Sequence, residues 1–249
     1  MALSRRSLLG AAAAAFLAAC SKQARRVAGN TSAAASSAPT AAPTTRATGP
    51  AEVLYSGPRD RKQVALTFHG SGDPTLTIQL LDEAKRLSAP ITVFAVGTWL
   101  RQYPNMAHRL LDAGHELENH TLTHPQLRGA SAVVVGREVT GCRDVLAAQT
   151  GNGGTYFRPS GMEGNYPPVV MEQAGMAGYR FVCGFDLDPS DYLDPGAAAI
   201  EARVRAALKP GSIISLHLGH AGTVAAFPTL VADIRARGLE PVLVRDLLA

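Results

Sequence analysis

The chain has 249 residues and a formal net charge of +4, with 24 Lys and Arg against 20 Asp and Glu. Six of the basic residues precede Glu52, the first acidic residue, so the rest of the chain carries 18 basic against 20 acidic residues. This balance argues against a nucleic-acid-binding protein, which would present a basic surface. The six residues are Arg5, Arg6, Lys22, Arg25, Arg26 and Arg46.

The first twenty residues are typical of an export signal. The twin arginines Arg5 and Arg6 precede an apolar run over residues 11–19, which is too short to span a bilayer as a mature helix. The run ends in Leu17-Ala18-Ala19-Cys20, which resembles a bacterial lipobox; the alternative is an ordinary small-residue cleavage site with an incidental cysteine. We predict a twin-arginine-type lipoprotein signal peptide over 1–20, lipidation at Cys20 and attachment to the extracytoplasmic face of the cell membrane.

Residues 21–52 are mostly Ala, Ser, Thr and Pro. This composition cannot bury enough apolar surface to offset chain entropy, which predicts a disordered linker. Residues 53–249 are long enough for a single domain with one sizeable core.

Within this domain, strand-like and helix-like segments alternate. Runs rich in β-branched and aromatic residues predict seven strands, at 64–68, 91–96, 115–119, 155–158, 179–185, 213–217 and 241–244. Helices are predicted between them, at 76–87, 106–113, 132–149, 168–174, 197–208 and 223–237. The alternation indicates an α/β protein with a parallel sheet, open or closed into a barrel. Cys142 falls in a predicted helix and Cys183 in a predicted strand, so two separate buried thiols are expected rather than a disulfide.

Two histidines four residues apart follow the third predicted strand. If His120 ends that strand and residues 121–124 make one helical turn, both rings converge on one cation. The spacing is common among zinc ligands, whereas the alternative is two surface histidines near a turn.

Other reactive side chains also follow predicted strands, where the chemistry of parallel α/β folds gathers. We expect one site at these strand ends, which carry His69 and Asp73, His120 and His124, the segment 157–161 with Arg158, the segment 186–192 with three aspartates, and His217.

The chain carries a series of short motifs in a fixed order. They are Leu66-Thr67-Phe68, Asp73-Pro74, Gly114-His115-Glu116, Asn119-His120-Thr121, His124-Pro125, Phe157-Arg158-Pro159, Asp186, Asp188, Asp191-Tyr192, Gly211-Ser212-Ile213, Leu216-His217 and, in the tail, Thr223-Val224-Ala225-Ala226-Phe227-Pro228, Arg235-Ala236-Arg237-Gly238-Leu239 and Val244-Arg245-Asp246-Leu247-Leu248. Taken in order, these segments resemble the polysaccharide deacetylase family, also called the NodB-homology domain or carbohydrate esterase family 4. The resemblance covers about residues 62–249. It implies a distorted (β/α) barrel of about seven parallel strands, a divalent metal that is usually zinc, and hydrolysis of N- or O-acetyl groups on a glycan.

The first and third motifs depart from the family. After Thr-Phe the family has two aspartates, a general base and then a metal ligand, but this chain has His69 and Gly70. The family's Arg-Pro-Pro-Tyr-Gly is replaced by Arg158-Pro159-Ser160-Gly161-Met162. The backbone N–H that would help to hold the oxyanion therefore belongs to Gly161, whose conformational freedom makes it a less preorganised donor.

The resemblance implies metal ligation by His120 and His124, a general acid at His217, and a charge pair of Asp188 with Arg158. The sequence leaves two candidates for the third metal ligand, Asp73 and His69. If Asp73 binds the metal, His69 is free to act as the base; if His69 binds it, no obvious base remains nearby. Gly70 and Gly72 let the loop fold back, which slightly favours Asp73, although an aspartate there is also a typical helix N-cap.

We therefore expect an exported, metal-dependent hydrolase that removes acetyl groups from an envelope or extracellular polysaccharide. The alternative is a catalytically impaired glycan-binding lipoprotein on the same fold.

Overall fold

The computed structural model describes residues 49–249. The predicted signal peptide, Cys20 and all but the last four residues of the predicted linker lie outside the described residues. The strands are β1 (Glu52–Leu54), β2 (Gln63–Gly70), β3 (Thr92–Ala95), β4 (Glu116–Asn119), β5 (Tyr156–Phe157), β6 (Phe181–Cys183), β7 (Ile213–His217) and β8 (Glu240–Val242). They pair in parallel in the order β1-β6-β5-β4-β3-β2-β7, and β8 adds to the first residues of β2. Isolated bridges from Ser56 to Ser212 and from Leu187 to Ile214 bring the two ends of the sheet together, as in the predicted distorted barrel.

Helices cover the outer face of this sheet. They are α1 (Pro74–Arg86), α2 (Gly97–Gln102), α3 (Asn105–Asp112), α4 (Ala132–Thr150), α5 (Pro168–Met176), α6 (Ala197–Ala207), α7 (Ala221–Ala236) and α8 (Val244–Leu247), with a 3-10 turn at Asp191–Leu193. Within residues 49–249, every helix is too short or too polar to cross a bilayer.

The seven predicted strands and six predicted helices are confirmed in type and order. Four short elements were not predicted: β1, α2, α8 and the 3-10 turn at Asp191–Leu193. β1 begins at Glu52, the last residue of the predicted linker, and is held by pairing with β6. α2 and α8 are six and four residues long, too short to show a helical period. Several predicted strands were too long. β6 covers only Phe181–Cys183 of the predicted 179–185, and the chain turns into α8 after Leu243 instead of completing the strand predicted at 241–244.

The alternation of β2 decides which side chains enter the barrel. Val64, Leu66 and Phe68 face the helices and belong to the main hydrophobic core. Their neighbours Thr67 and His69 face the interior, beside Ser215 and His217 of β7 in the parallel register. Position 69 therefore points toward the open end of the barrel.

Gly70, by contrast, packs against β3. A Cβ atom at this position would lie 2.8 Å from both the Ala95 Cα and the Val93 Cγ1. Because one of these is a backbone atom, the family's second aspartate could not be placed at this position without a shift of the strand.

The two described cysteines are both free and buried, which confirms the expected pair of separate thiols. Burial raises the pKa of Cys142 to about 12 and that of Cys183 to about 11. Both therefore remain protonated and unreactive at neutral pH.

Candidate active site

A cavity of about 450 Å³ opens at the carboxyl ends of the strands. Such a volume is typical of a small-molecule or glycan subsite. It brings together most of the side chains that the sequence singled out. The lining residues are His69, His124, Arg128, Gly161, Met162, Glu163, Phe185, Asp188, Tyr192, Ser215 and His217.

Three imidazoles meet at the base of this cavity. His69 ends β2, His120 follows β4, and His124 lies in the loop after it. One nitrogen of each ring lies within 4.8 Å of the others, and the ring centroids of His69 and His120 are 4.4 Å apart. The three side chains therefore converge closely enough to share one metal ion.

The hydrogen bonds around these rings fit a metal. The Nδ1 of His120 lies 2.8 Å from the carbonyl oxygen of Arg158, so it carries the proton and donates. Its Nε2 is left as a buried acceptor without a partner among residues 49–249. The Nε2 of His69 lies 3.1 Å from the Ser215 Oγ, which leaves one nitrogen of that ring for another partner. In a histidine metal ligand, one ring nitrogen usually forms a hydrogen bond to the protein while the other binds the metal.

Electrostatics also favour neutral imidazoles. Burial is the main cause that lowers the pKa of His69 and of His120 well below the ordinary value, and neighbouring histidines add to it. Burial and His217 lower the pKa of His124 as well. Neutral imidazole is the form that binds a metal ion.

The loop from His120 to His124 does not form the predicted helical turn. Thr121 and His124 both adopt left-handed backbone conformations, with φ of 71° and 60°. The Asn119 side chain accepts a hydrogen bond from the Thr121 N–H, and the Thr121 hydroxyl accepts one from the His124 N–H. The two rings therefore meet through a bent loop rather than through helical periodicity.

Asp73 lies outside the histidine cluster. Its carboxylate caps α1 by accepting hydrogen bonds of 2.7 and 2.9 Å from the backbone N–H groups of Thr75 and Leu76. The side chain is exposed and is committed to the helix, so the structure places His69, rather than Asp73, beside His120 and His124.

His217 is hydrogen-bonded to Asp191, a residue to which the sequence analysis assigned no role. Its Nδ1 lies 2.7 Å from the Asp191 Oδ1, while its backbone N–H and the Thr223 hydroxyl donate to the Oδ2. Asp191 is fully buried, and this pairing leaves the Nε2 of His217 directed away from the carboxylate. Asp191 belongs to the family-like motifs, but only the fold shows that its partner is His217.

Arg158 and Asp188 do not form the predicted charge pair. The Arg158 guanidinium donates to the Thr67 hydroxyl and to the carbonyl oxygens of Cys183 and Gly184. It also stacks 4.0 Å above the centre of the Phe94 ring. Among residues 49–249 it has no carboxylate within salt-bridge distance.

Asp188 instead lines the cavity. Its carboxylate accepts a 2.6 Å hydrogen bond from the Ser190 N–H. Burial is the main cause that raises its pKa above the ordinary value. A raised pKa makes this carboxylate a stronger proton acceptor than an ordinary aspartate.

Gly161 lines the cavity in a left-handed conformation, with φ of 65°. A Cβ atom at this position would lie 2.8 Å from the Gln126 Cα, so a side chain would clash with backbone. Both the conformation and the packing require glycine at this position.

The chain matches the family described as Polysaccharide deacetylase over residues 56–182. It is 30% identical to a peptidoglycan-N-acetylglucosamine deacetylase of Bacillus cereus over 79% of this chain and 92% of the relative. It is also 30% identical to a chitooligosaccharide deacetylase of Bradyrhizobium sp. over 75% of this chain and 90% of the relative.

A solved structure of a CE4 family pseudoenzyme from Bacillus anthracis has the same fold, with a TM-score of 0.75. It is 22% identical, and the match covers 80% of this chain and 69% of that chain. The family match and the two relatives agree with the barrel and with the ordered motifs. The chain therefore belongs to the polysaccharide deacetylase family of hydrolases.

Proposed function

We propose that the protein is an exported, metal-dependent hydrolase that removes acetyl groups from an envelope or extracellular polysaccharide. The observation that carries this proposal is the cluster of His69, His120 and His124 at the base of the cavity. His217 and Asp191 lie beside it, with the ring centroids of His69 and His217 4.4 Å apart.

His69, His120 and His124 would hold the metal, and three imidazoles favour zinc over magnesium. A bound zinc ion would supply Lewis acidity, polarising the acetyl carbonyl and lowering the pKa of a water molecule. Because Gly70 replaces the family's aspartate ligand and His69 would take its place at the metal, the three ligands are all neutral and leave the full charge of the cation at the site.

The remaining groups handle protons and the oxyanion. His217, held by Asp191, donates a proton to the leaving amine or alcohol, because its Nδ1 is fixed by the carboxylate. Since His69 is assigned to the metal, we assign proton acceptance from the attacking water to Asp188. The Gly161 N–H is assigned to the carbonyl oxygen as negative charge develops on it.

The proposal is tested by acetate release from acetylated glycans. Peptidoglycan fragments and chitooligosaccharides are the two substrates to compare, since the relatives are named for these glycans. We expect activity on at least one of them, loss of activity after removal of metal by a chelator, and recovery on addition of zinc. Activity that survives complete metal removal would contradict the metal-dependent mechanism.

A second function, glycan binding without catalysis, is favoured by one observation. The histidine cluster contains no carboxylate, and the first family motif lacks both aspartates. A structural neighbour in the family is itself described as a pseudoenzyme. Glycan binding without acetate release, in protein loaded with zinc, would establish this second function.

The proposed attachment of the protein to the membrane depends on Cys20. We expect Cys20→Ser to release the protein from the membrane fraction or to block processing of the signal, because the lipid is attached at this sulfur. Fractionation of cells that express the wild type and the variant measures this. Unchanged membrane association of the variant would disprove the lipid anchor without bearing on the hydrolase.

A further inference from the structure

The segment from His120 to His124, which we call the ligand loop, joins two of the proposed metal ligands. A left-handed conformation is unfavourable for a β-branched residue such as Thr121, and the loop also holds His124 in that region. The loop therefore needs contacts from elsewhere in the fold to keep its shape.

The first half of the ligand loop is held by α2. The backbone N–H of Gly97 donates to the Thr121 carbonyl at 3.0 Å, and that of Thr98 donates to the Leu122 carbonyl at 2.8 Å. These bonds fix the residues that follow His120 but do not reach His124.

The second half is held by one side chain of α4. The Glu138 carboxylate accepts a 2.7 Å hydrogen bond from the Thr123 backbone N–H and a 3.0 Å hydrogen bond from the Thr123 hydroxyl. Both of its oxygens are thus used on the residue that immediately precedes His124. Hydrogen bonds to a carboxylate are about twice as strong as those between neutral groups.

Within the part of the chain that the structure describes, Glu138 has no other hydrogen-bond or ion-pair partner of comparable strength. The side chain is 1% exposed, and its nearest described cation is Arg137, at 3.8 Å and itself largely in solvent. A buried carboxylate is costly unless its hydrogen bonds compensate for lost hydration, and the bonds to Thr123 provide that compensation.

We propose that Glu138 is a positioning residue for the metal centre: through Thr123 it fixes the ligand loop so that His124 meets His69 and His120. This inference rests on the proposed function, since it takes His124 as a metal ligand. Glu138 does not itself touch the metal or the substrate.

The test is Glu138→Gln in the full chain, with Glu116→Gln as the matched control. Glu116 is also buried and accepts hydrogen bonds from one threonine hydroxyl, that of Thr92, and one backbone N–H, that of Arg245. It lies at the start of β4, away from the ligand loop. Zinc affinity is measured by competition with a chelator, Co²⁺ absorption reports ligand geometry, and thermal unfolding reports stability.

We expect Glu138→Gln, which exchanges the charge-assisted hydrogen bonds to Thr123 for weaker neutral ones, to weaken zinc binding by about 10-fold and to change the Co²⁺ spectrum. Glu116→Gln should leave both unchanged, whatever its effect on unfolding. Equal zinc affinity and spectra for folded wild type and Glu138→Gln would overturn the role of Glu138 alone. Absence of zinc binding in the wild type would overturn the proposed function as well.

If Glu138→Gln does not fold, Thr123→Val decides the matter, because it removes only the hydroxyl hydrogen bond. Weaker zinc binding by folded Thr123→Val supports the positioning role. Wild-type affinity in that variant contradicts it.

Discussion

His69→Ala is expected to abolish zinc retention and, with it, acetate release. The imidazole of His69 is one of three that meet within 4.8 Å, and it stands where the family has a carboxylate. Loss of one of three ligands should weaken binding beyond the roughly 10–100-fold that follows loss of an outer contact. Metal content after zinc loading and desalting measures this directly.

Asp73→Ala is the contrasting variant, four residues further along the chain. It removes the N-cap of α1 and should lower the free energy of unfolding by about 1 kcal/mol while zinc stays bound. If Asp73→Ala loses zinc and His69→Ala keeps it, Asp73 is the third ligand and the assignment of His69 to the metal is wrong. If neither variant loses zinc, the loop from Phe68 to Asp73 takes no part in the site.

His217→Ala is expected to lower kcat by about 10²–10⁴-fold with zinc still bound, which is the usual contribution of a general acid. Its ring lines the cavity with its centroid 4.4 Å from that of His69, and the buried Asp191 fixes its orientation. Asp191→Asn should give a loss of the same kind, because an amide does not stabilise the charged imidazolium. Initial rates at saturating substrate, with metal content determined on the same samples, check both variants.

His220→Ala is the matched control for this prediction. His220 is also paired through Nδ1 with an aspartate, Asp194, at 2.9 Å, and its ring lies 6.1 Å from that of His217. It does not line the cavity, and its aspartate is mostly exposed. We expect activity near the wild-type value. Equal losses of activity in His217→Ala and His220→Ala would indicate a general disturbance of the structure around these two histidines rather than loss of a proton donor.

The type and order of the larger elements could be predicted because their causes are local. In β2, β7 and α4, the composition and length of the segment itself are enough to distinguish a strand from a helix. β1 and α2 could not be predicted, because they are only three and six residues long. β1 is held by its hydrogen bonds to β6, and α2 by its hydrogen bonds to the ligand loop. The helical turn predicted after His120 was wrong for the same reason: Asn119, α2 and α4 impose a bent loop that residue spacing does not reveal.

For the site, the sequence by itself determined which chemical groups were available and that they follow strand ends. That was enough to indicate the family and a histidine-rich centre. Only the tertiary structure decided the partners, because partner choice depends on distance and direction between segments far apart in the chain. It set His69 rather than Asp73 beside His120, since β2 turns position 69 inward while Asp73 is committed to capping α1. It likewise joined His217 to Asp191 and left Arg158 with backbone oxygens in place of Asp188.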